Sequence, residues 1–99
     1  MKGLKERISL AVKTGKVVLG SKKVIYHLLM SNPKLIILSE NCNREIRDRI
    51  KYYSKLSGVP CKTIIETSIE LGSMCGNPFS VSTLAIIDQG DSDILEIIK

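Results

Sequence analysis

Residues that carry chemistry are scarce in this chain of 99 residues. His27 is the only histidine, and it stands between Tyr26 and Leu28 with no nucleophile or orienting acid beside it. A general base needs such partners, so acid–base and nucleophilic catalysis find no centre here. The cysteines Cys42, Cys61 and Cys75 are too widely spaced for a zinc knuckle or a redox pair, and any disulfide would leave one over. Reduced thiols, as in the cytoplasm, are the expected state. Long apolar runs are missing too: Leu35-Ile36-Ile37-Leu38 falls far short of a membrane span. After Met1-Lys2-Gly3-Leu4-Lys5-Glu6 comes no apolar signal-peptide segment. Gly20 lacks the further glycines of a dinucleotide fingerprint or a Walker loop. Asp88, Asp91 and Asp93 have no further ligand set and read as caps and loop solvation rather than a cation site. No cofactor, metal or membrane partner is expected.

What the chain does have is uneven charge. Residues 1–55 hold 13 Lys/Arg and 4 Asp/Glu, whereas residues 56–99 hold 2 and 6. A net charge of +5 arranged this way implies a basic side facing a polyanion, with nucleic acid favoured over a merely solvated basic surface.

Length and composition fit a single domain with its own core, spanning 1–99. Apolar spacing predicts a helix over Gly3–Thr14, with Leu4, Ile8, Ala11 and Val12 inward, and then a strand over Val17–Leu19. A second helix is expected over Ser21–Met30 and a doubly buried strand over Lys34–Ser39. Asn43 can cap a third helix, in which Ile46, Ile50, Tyr53 and Leu56 share one face; Gly58-Val59-Pro60 stops it. A short strand follows at Cys61–Ile64. Thr67-Ser68-Ile69-Glu70 is a capping box opening a fourth helix that Gly76 ends. Leu84–Asp88 is the last clear strand, and Asp91 or Ser92 can cap a short helix over Ile94–Ile97. This alternation implies an α/β fold with helices on both faces of a small, largely parallel sheet.

Three loops stand out. Val17-Val18-Leu19 runs into Gly20, and Ser21 is a good N-cap type for the helix that follows. Lys22 and Lys23 then occupy the first turn, where cations oppose the helix dipole. A helix start with free N–H groups and two lysines suits a phosphate or a base edge, against the plain alternative of a helix that begins with lysines. In Asn41-Cys42-Asn43-Arg44 an asparagine can cap the helix or read a base edge. In Gly76-Asn77-Pro78-Phe79-Ser80-Val81 the only phenylalanine sits in a turn, either as a core plug or as a platform for an unpaired base. With parallel strands, these loops share one end of the sheet.

Several stretches resemble a known family. Thr14-Gly15-Lys16-Val17-Val18-Leu19-Gly20, Lys34-Leu35-Ile36-Ile37-Leu38, Ile50-Lys51-Tyr52-Tyr53-Ser54-Lys55-Leu56-Ser57, Glu70-Leu71-Gly72 and Gly90-Asp91-Ser92-Asp93-Ile94-Leu95 are similar to large-subunit ribosomal protein L-thirty of the e type. The likeness keeps order and spacing over nearly the whole chain. It implies a three-layer α–β–α sandwich around a small four-stranded mixed sheet, with no enzymatic activity. It also implies binding of kink-turn rRNA in the large ribosomal subunit, beside neighbouring ribosomal proteins in the cytoplasm, by a chain that is monomeric when free. Carried onto this sequence, the RNA contacts fall on Gly20, Ser21, Lys22 and Lys23, on Asn41 with Arg44 beside it, and on Phe79 and Val81. Family branches differ in which residue of the Lys22–Lys23 pair is basic, and some lack an aromatic at Phe79. The alternative is a sibling kink-turn protein of a guide-RNA particle. Such siblings carry Asn-Glu after the turn glycine, whereas this chain has Ser21-Lys22-Lys23. An enzyme, or the RNA-recognition half of a methyltransferase, would need a cofactor site or a further domain.

Overall fold

The computed structural model describes residues 4–95. Its elements are α1 (Leu4–Thr14), β1 (Lys16–Leu19), α2 (Ser21–Met30), β2 (Leu35–Leu38), α3 (Arg44–Ser57), β3 (Cys61–Thr63), α4 (Ser68–Met74) and β4 (Thr83–Asp88). Gly3, the Leu4 side chain and the end of the expected last helix, residues 96–97, lie outside what the structure describes. Ile94 and Leu95 are helical, and Ser92 is the residue that caps them: its Oγ accepts from Ile94 N at 3.2 Å.

The strands form one sheet in the order β1-β4-β2-β3. Only β2 and β3 pair in parallel; β4 lies between β1 and β2 and is antiparallel to both. The alternating rhythm alone suggests a largely parallel sheet, and the return from α4 is why it is mixed. After α4 the chain doubles back along its own helix, where Val81 N donates to Ser68 O at 2.9 Å. β4 therefore starts at the end of the sheet where β1, β2 and β3 finish.

Alternation along the strands splits the core in two. Leu35, Ile37, Leu84 and Ile86 join Ile8, Leu71, Met74 and Ile94 on one face. Ile36, Leu38 and Ala85 join Val24, Leu28 and Ile50 on the other. Each such branched side chain contributes about 1.5–3 kcal/mol on burial, so the unbroken apolar β2 anchors both layers. The result is the α–β–α sandwich around a four-stranded mixed sheet.

One helix face differs from its spacing. Leu56 is 67% exposed, although its position suggested the inward face of α3. By the end of α3 the buried stripe has rotated onto Ser54 and Ser57, and Ser57 Oγ donates to Leu28 O at 3.1 Å. The three cysteines are free thiols. Burial raises all three; Cys75 is pushed up to about 11, while Arg47 partly offsets the rise at Cys42, and Ser54 and Lys51 that at Cys61. Such thiols stay protonated and unreactive near neutral pH. No helix among the described residues is long and apolar enough to cross a membrane.

Candidate nucleic-acid interface

Backbone hydrogen bonds knit four chain segments together at the loop end of the sheet. Gly20 N donates to Thr83 O at 3.1 Å, Ser39 N to Ser82 O at 3.0 Å and Glu40 N to Glu66 O at 2.9 Å. The connections after β1, β2 and β3 and the approach to β4 thus form one surface. All three loops singled out from the sequence lie on it.

The turn into α2 is made by Gly20 at φ 96, ψ 143. Side chains rarely adopt that conformation, so the glycine is required by the backbone. Gly20, not Ser21, occupies the cap position, and no side chain among the described residues caps this helix. Ser21 already has helical geometry, which takes its hydroxyl out of the capping role its residue type suggested. The first intrahelical bond runs from Val24 N to Gly20 O at 3.0 Å, leaving the N–H groups of Ser21, Lys22 and Lys23 without helical acceptors. The starts of α3 and α4 are closed by contrast: Asn43 Oδ1 accepts from Glu45 N and Ile46 N at the head of α3, and Thr67 forms a capping box at α4. Exposed Lys22 and Lys23 therefore flank an open, positively polarised helix end.

The two asparagines of the second loop take different tasks. Asn43 is the cap. Asn41 is exposed, and its Oδ1 accepts from Ser68 N at 2.8 Å and from Ser39 Oγ at 3.1 Å. A backbone N–H can only donate, so the oxygen must face α4 and the amide nitrogen turns the other way. Asn41 thus offers two N–H donors outward. Arg44 opens α3 with its side chain 85% exposed and only a long 3.8 Å approach to Asp48. Surface pairs of that kind hold a guanidinium weakly, so it is free to reach an anion.

In the third loop Phe79 is 61% exposed, whereas Val81 is 4% exposed and belongs to the α1/α4 core. The loop's backbone is fixed against α4, with Asn77 N donating to Gly72 O at 2.9 Å, so the Phe79 ring projects from an anchored turn. The side chain of Val81, by contrast, faces away from the surface.

Two further residues at this end were not singled out from the sequence: Ile65 is 85% exposed and Ile69 is 73% exposed. Ile69 lies one helical turn before Gly72, on the side of α4 along which the Phe79 loop runs. Their signal was faint but present. In Ile64-Ile65 the strand alternation can bury only one, and Ile64 is the buried member.

The residues set aside from the sequence have local roles. His27 Nδ1 lies 3.1 Å from Ser31 Oγ, and its ring meets Tyr26 edge-on. Asp88 Oδ1 accepts from Gly90 N, and Asp93 pairs with Arg7 at 3.0 Å.

Comparison with known proteins agrees with this architecture. The large ribosomal subunit protein eL30 of Methanopyrus kandleri is 41% identical over 99 residues, which cover all of this chain and 91% of that protein. Its counterpart from Methanosphaera stadtmanae is 50% identical over 90 residues, or 91% of this chain and 92% of that one. A solved structure of a protein of unknown function from Bacillus halodurans C shares the fold at a TM-score of 0.83 and 18% identity, covering 94% of this chain and 92% of its own. A model of the ribosomal protein L7Ae/L30e/S12e/Gadd45 family matches residues 2–96, and with full-length relatives this similar, the chain belongs to that family.

Proposed function

We propose that this protein is a non-enzymatic structural constituent of the large ribosomal subunit that binds kink-turn rRNA through the loop end of its sheet. The observation that carries the reading is the convergence of three complementary devices on one surface. The open start of α2, with Gly20, Ser21, Lys22 and Lys23, suits phosphate and base edges. Asn41 presents amide donors to base acceptors, and Arg44 adds a reaching cation. Phe79 supplies an exposed ring for an unpaired base, with Ile65 and Ile69 widening the apolar area; Val81 supports the turn from beneath. A kinked RNA offers a sharply bent backbone, exposed base edges and unstacked bases together, which these devices match. The bound state places the protein in the cytoplasm on the ribosome, beside other ribosomal proteins. The free chain is monomeric.

Co-sedimentation tests this directly. The protein is expected to travel with isolated large subunits and to bind a minimal kink-turn duplex. Association with guide-RNA particles but not with subunits would instead favour the sibling reading, which Ser21-Lys22-Lys23 after the turn glycine, where the siblings carry Asn-Glu, already disfavours.

The ring gives a finer test. Phe79→Ala is expected to cost about 1–3 kcal/mol of kink-turn affinity, the worth of one aromatic–base stack. Its unfolding midpoint should barely move, because a side chain 61% exposed buries little area. Titration at fixed salt, paired with thermal unfolding, separates the two quantities. A large stability loss with undiminished affinity would take Phe79 out of the interface.

A further inference from the structure

Positive charge is concentrated on one layer of the sandwich. The segments of α2 and α3 carry seven Lys/Arg against two acids, whereas α1 and α4 carry three against two. The loop-end site uses Lys22, Lys23 and Arg44. The four cations it leaves over, Arg47, Arg49, Lys51 and Lys55, all lie further along α3.

Their arrangement on that helix is specific. Positions 44, 48, 51, 52 and 55 recur at helical spacing and share the face turned away from the sheet. Asp48, the only acid on this stripe, stands near Arg44 and Arg47. Lys51 and Lys55 form no ion pair among the described residues and sit four apart, where like charges repel. Between them Tyr52 is 61% exposed, its ring meeting that of Tyr53 at 5.6 Å and 64°. An exposed aromatic ring flanked by two uncompensated lysines combines backbone neutralisation with a stacking face.

We propose that Lys51, Tyr52 and Lys55 form a second RNA-contact surface, which holds the backbone of a segment lying beyond the kink. The proposal rests on the kink-turn reading above. Arg44, at the head of the same helix, joins the two surfaces. From there to Lys55 the helix runs roughly 16 Å, so an RNA strand leaving the loop end can follow it. That distance exceeds the screening length of about 8 Å at physiological salt, so the two surfaces can be altered separately.

The experiment compares a minimal kink-turn duplex with the same motif embedded in a longer large-subunit rRNA fragment. For the Lys51→Gln/Lys55→Gln variant, affinity for the minimal duplex is expected to stay within about twofold of wild type, while affinity for the long RNA falls about tenfold. The slope of log affinity against log salt on the long RNA should also shallow by about 1.4–1.8, for two lost phosphate contacts. Tyr52→Ala should weaken the long RNA alone, by about fivefold or more. Equal losses on both RNAs, or none on either, would overturn the proposal. So would a loss seen only with intact subunits and not with naked RNA, which would give the surface to a protein neighbour. A wild-type protein that fails to bind the minimal duplex would overturn the kink-turn reading itself, and this proposal with it.

Discussion

Gly20→Val is expected to give a protein that folds yet loses about 100-fold or more in kink-turn affinity, the worth of two charge-assisted hydrogen bonds. A Cβ at this position meets nothing within 4 Å, so the fold has room for it. The open space is the side on which RNA is proposed to approach, and valine would stand between the helix end and the phosphates. Backbone strain adds a second effect. At φ 96, ψ 143 a branched residue is strained by about 1–3 kcal/mol, and relaxing it would turn the first N–H groups of α2 away from their proposed target. Gly20→Ala should show the same pattern with a smaller loss. Thermal unfolding and RNA titration on the same preparation decide the matter. A folded Gly20→Val variant that binds like wild type would show that the RNA does not approach this turn.

Gly72→Val is expected to act the opposite way, by breaking the support under the interface. A Cβ there would collide with the carbonyl oxygen of Phe79 and lie 3.1 Å from its carbonyl carbon and 3.4 Å from Ser80 Cα. These are backbone atoms, so no rotamer change relieves the clash. The loop must move off α4, which pulls Val81 out of the core and shifts the Phe79 ring. A stability loss of about 3 kcal/mol is expected, the upper end for overpacking, together with weaker RNA binding by the molecules that remain folded. Chemical denaturation gives the first quantity and titration the second. Wild-type stability for Gly72→Val would mean that the loop is not pressed against the helix.

These two glycines also mark how far the sequence could be read. The bounds of α2 were legible because Val17-Val18-Leu19, Gly20 and the spacing of Val24, Ile25, Leu28 and Leu29 agree with one another. The capping role expected of Ser21 was not realised, since residue preference carries no information about the φ of the preceding glycine. Asn43 was legible as a cap from the helix that follows it, and its bonds to Glu45 N and Ile46 N are local. The orientation of Asn41 was not legible, because it is set by Ser68, brought in by α4 from far along the chain. Phe79 and Val81 looked alike as loop hydrophobics, and the doubling-back of the chain along α4 sends one to the surface and the other to the core. Counting charge by halves of the chain pointed to a polyanion but blurred its location. The lysines of α1 lie on the opposite layer from those of α3, and only the sheet separates them.

The placement of β4 has a consequence for how the protein is made. β1 pairs only with β4, Lys16 opposite Asp88, and β2 also needs β4 on that side. The last of the described strands in sequence is therefore an inner strand of the sheet. At synthesis rates of about 5–20 residues per second, β1 waits several seconds for its partner to emerge. Until then Gly20 has no Thr83 and Ser39 no Ser82 to bond, so the end proposed to face RNA is not assembled. A chain translated only as far as α4 lacks these bonds, so the surface proposed to meet RNA takes shape only after β4 has emerged.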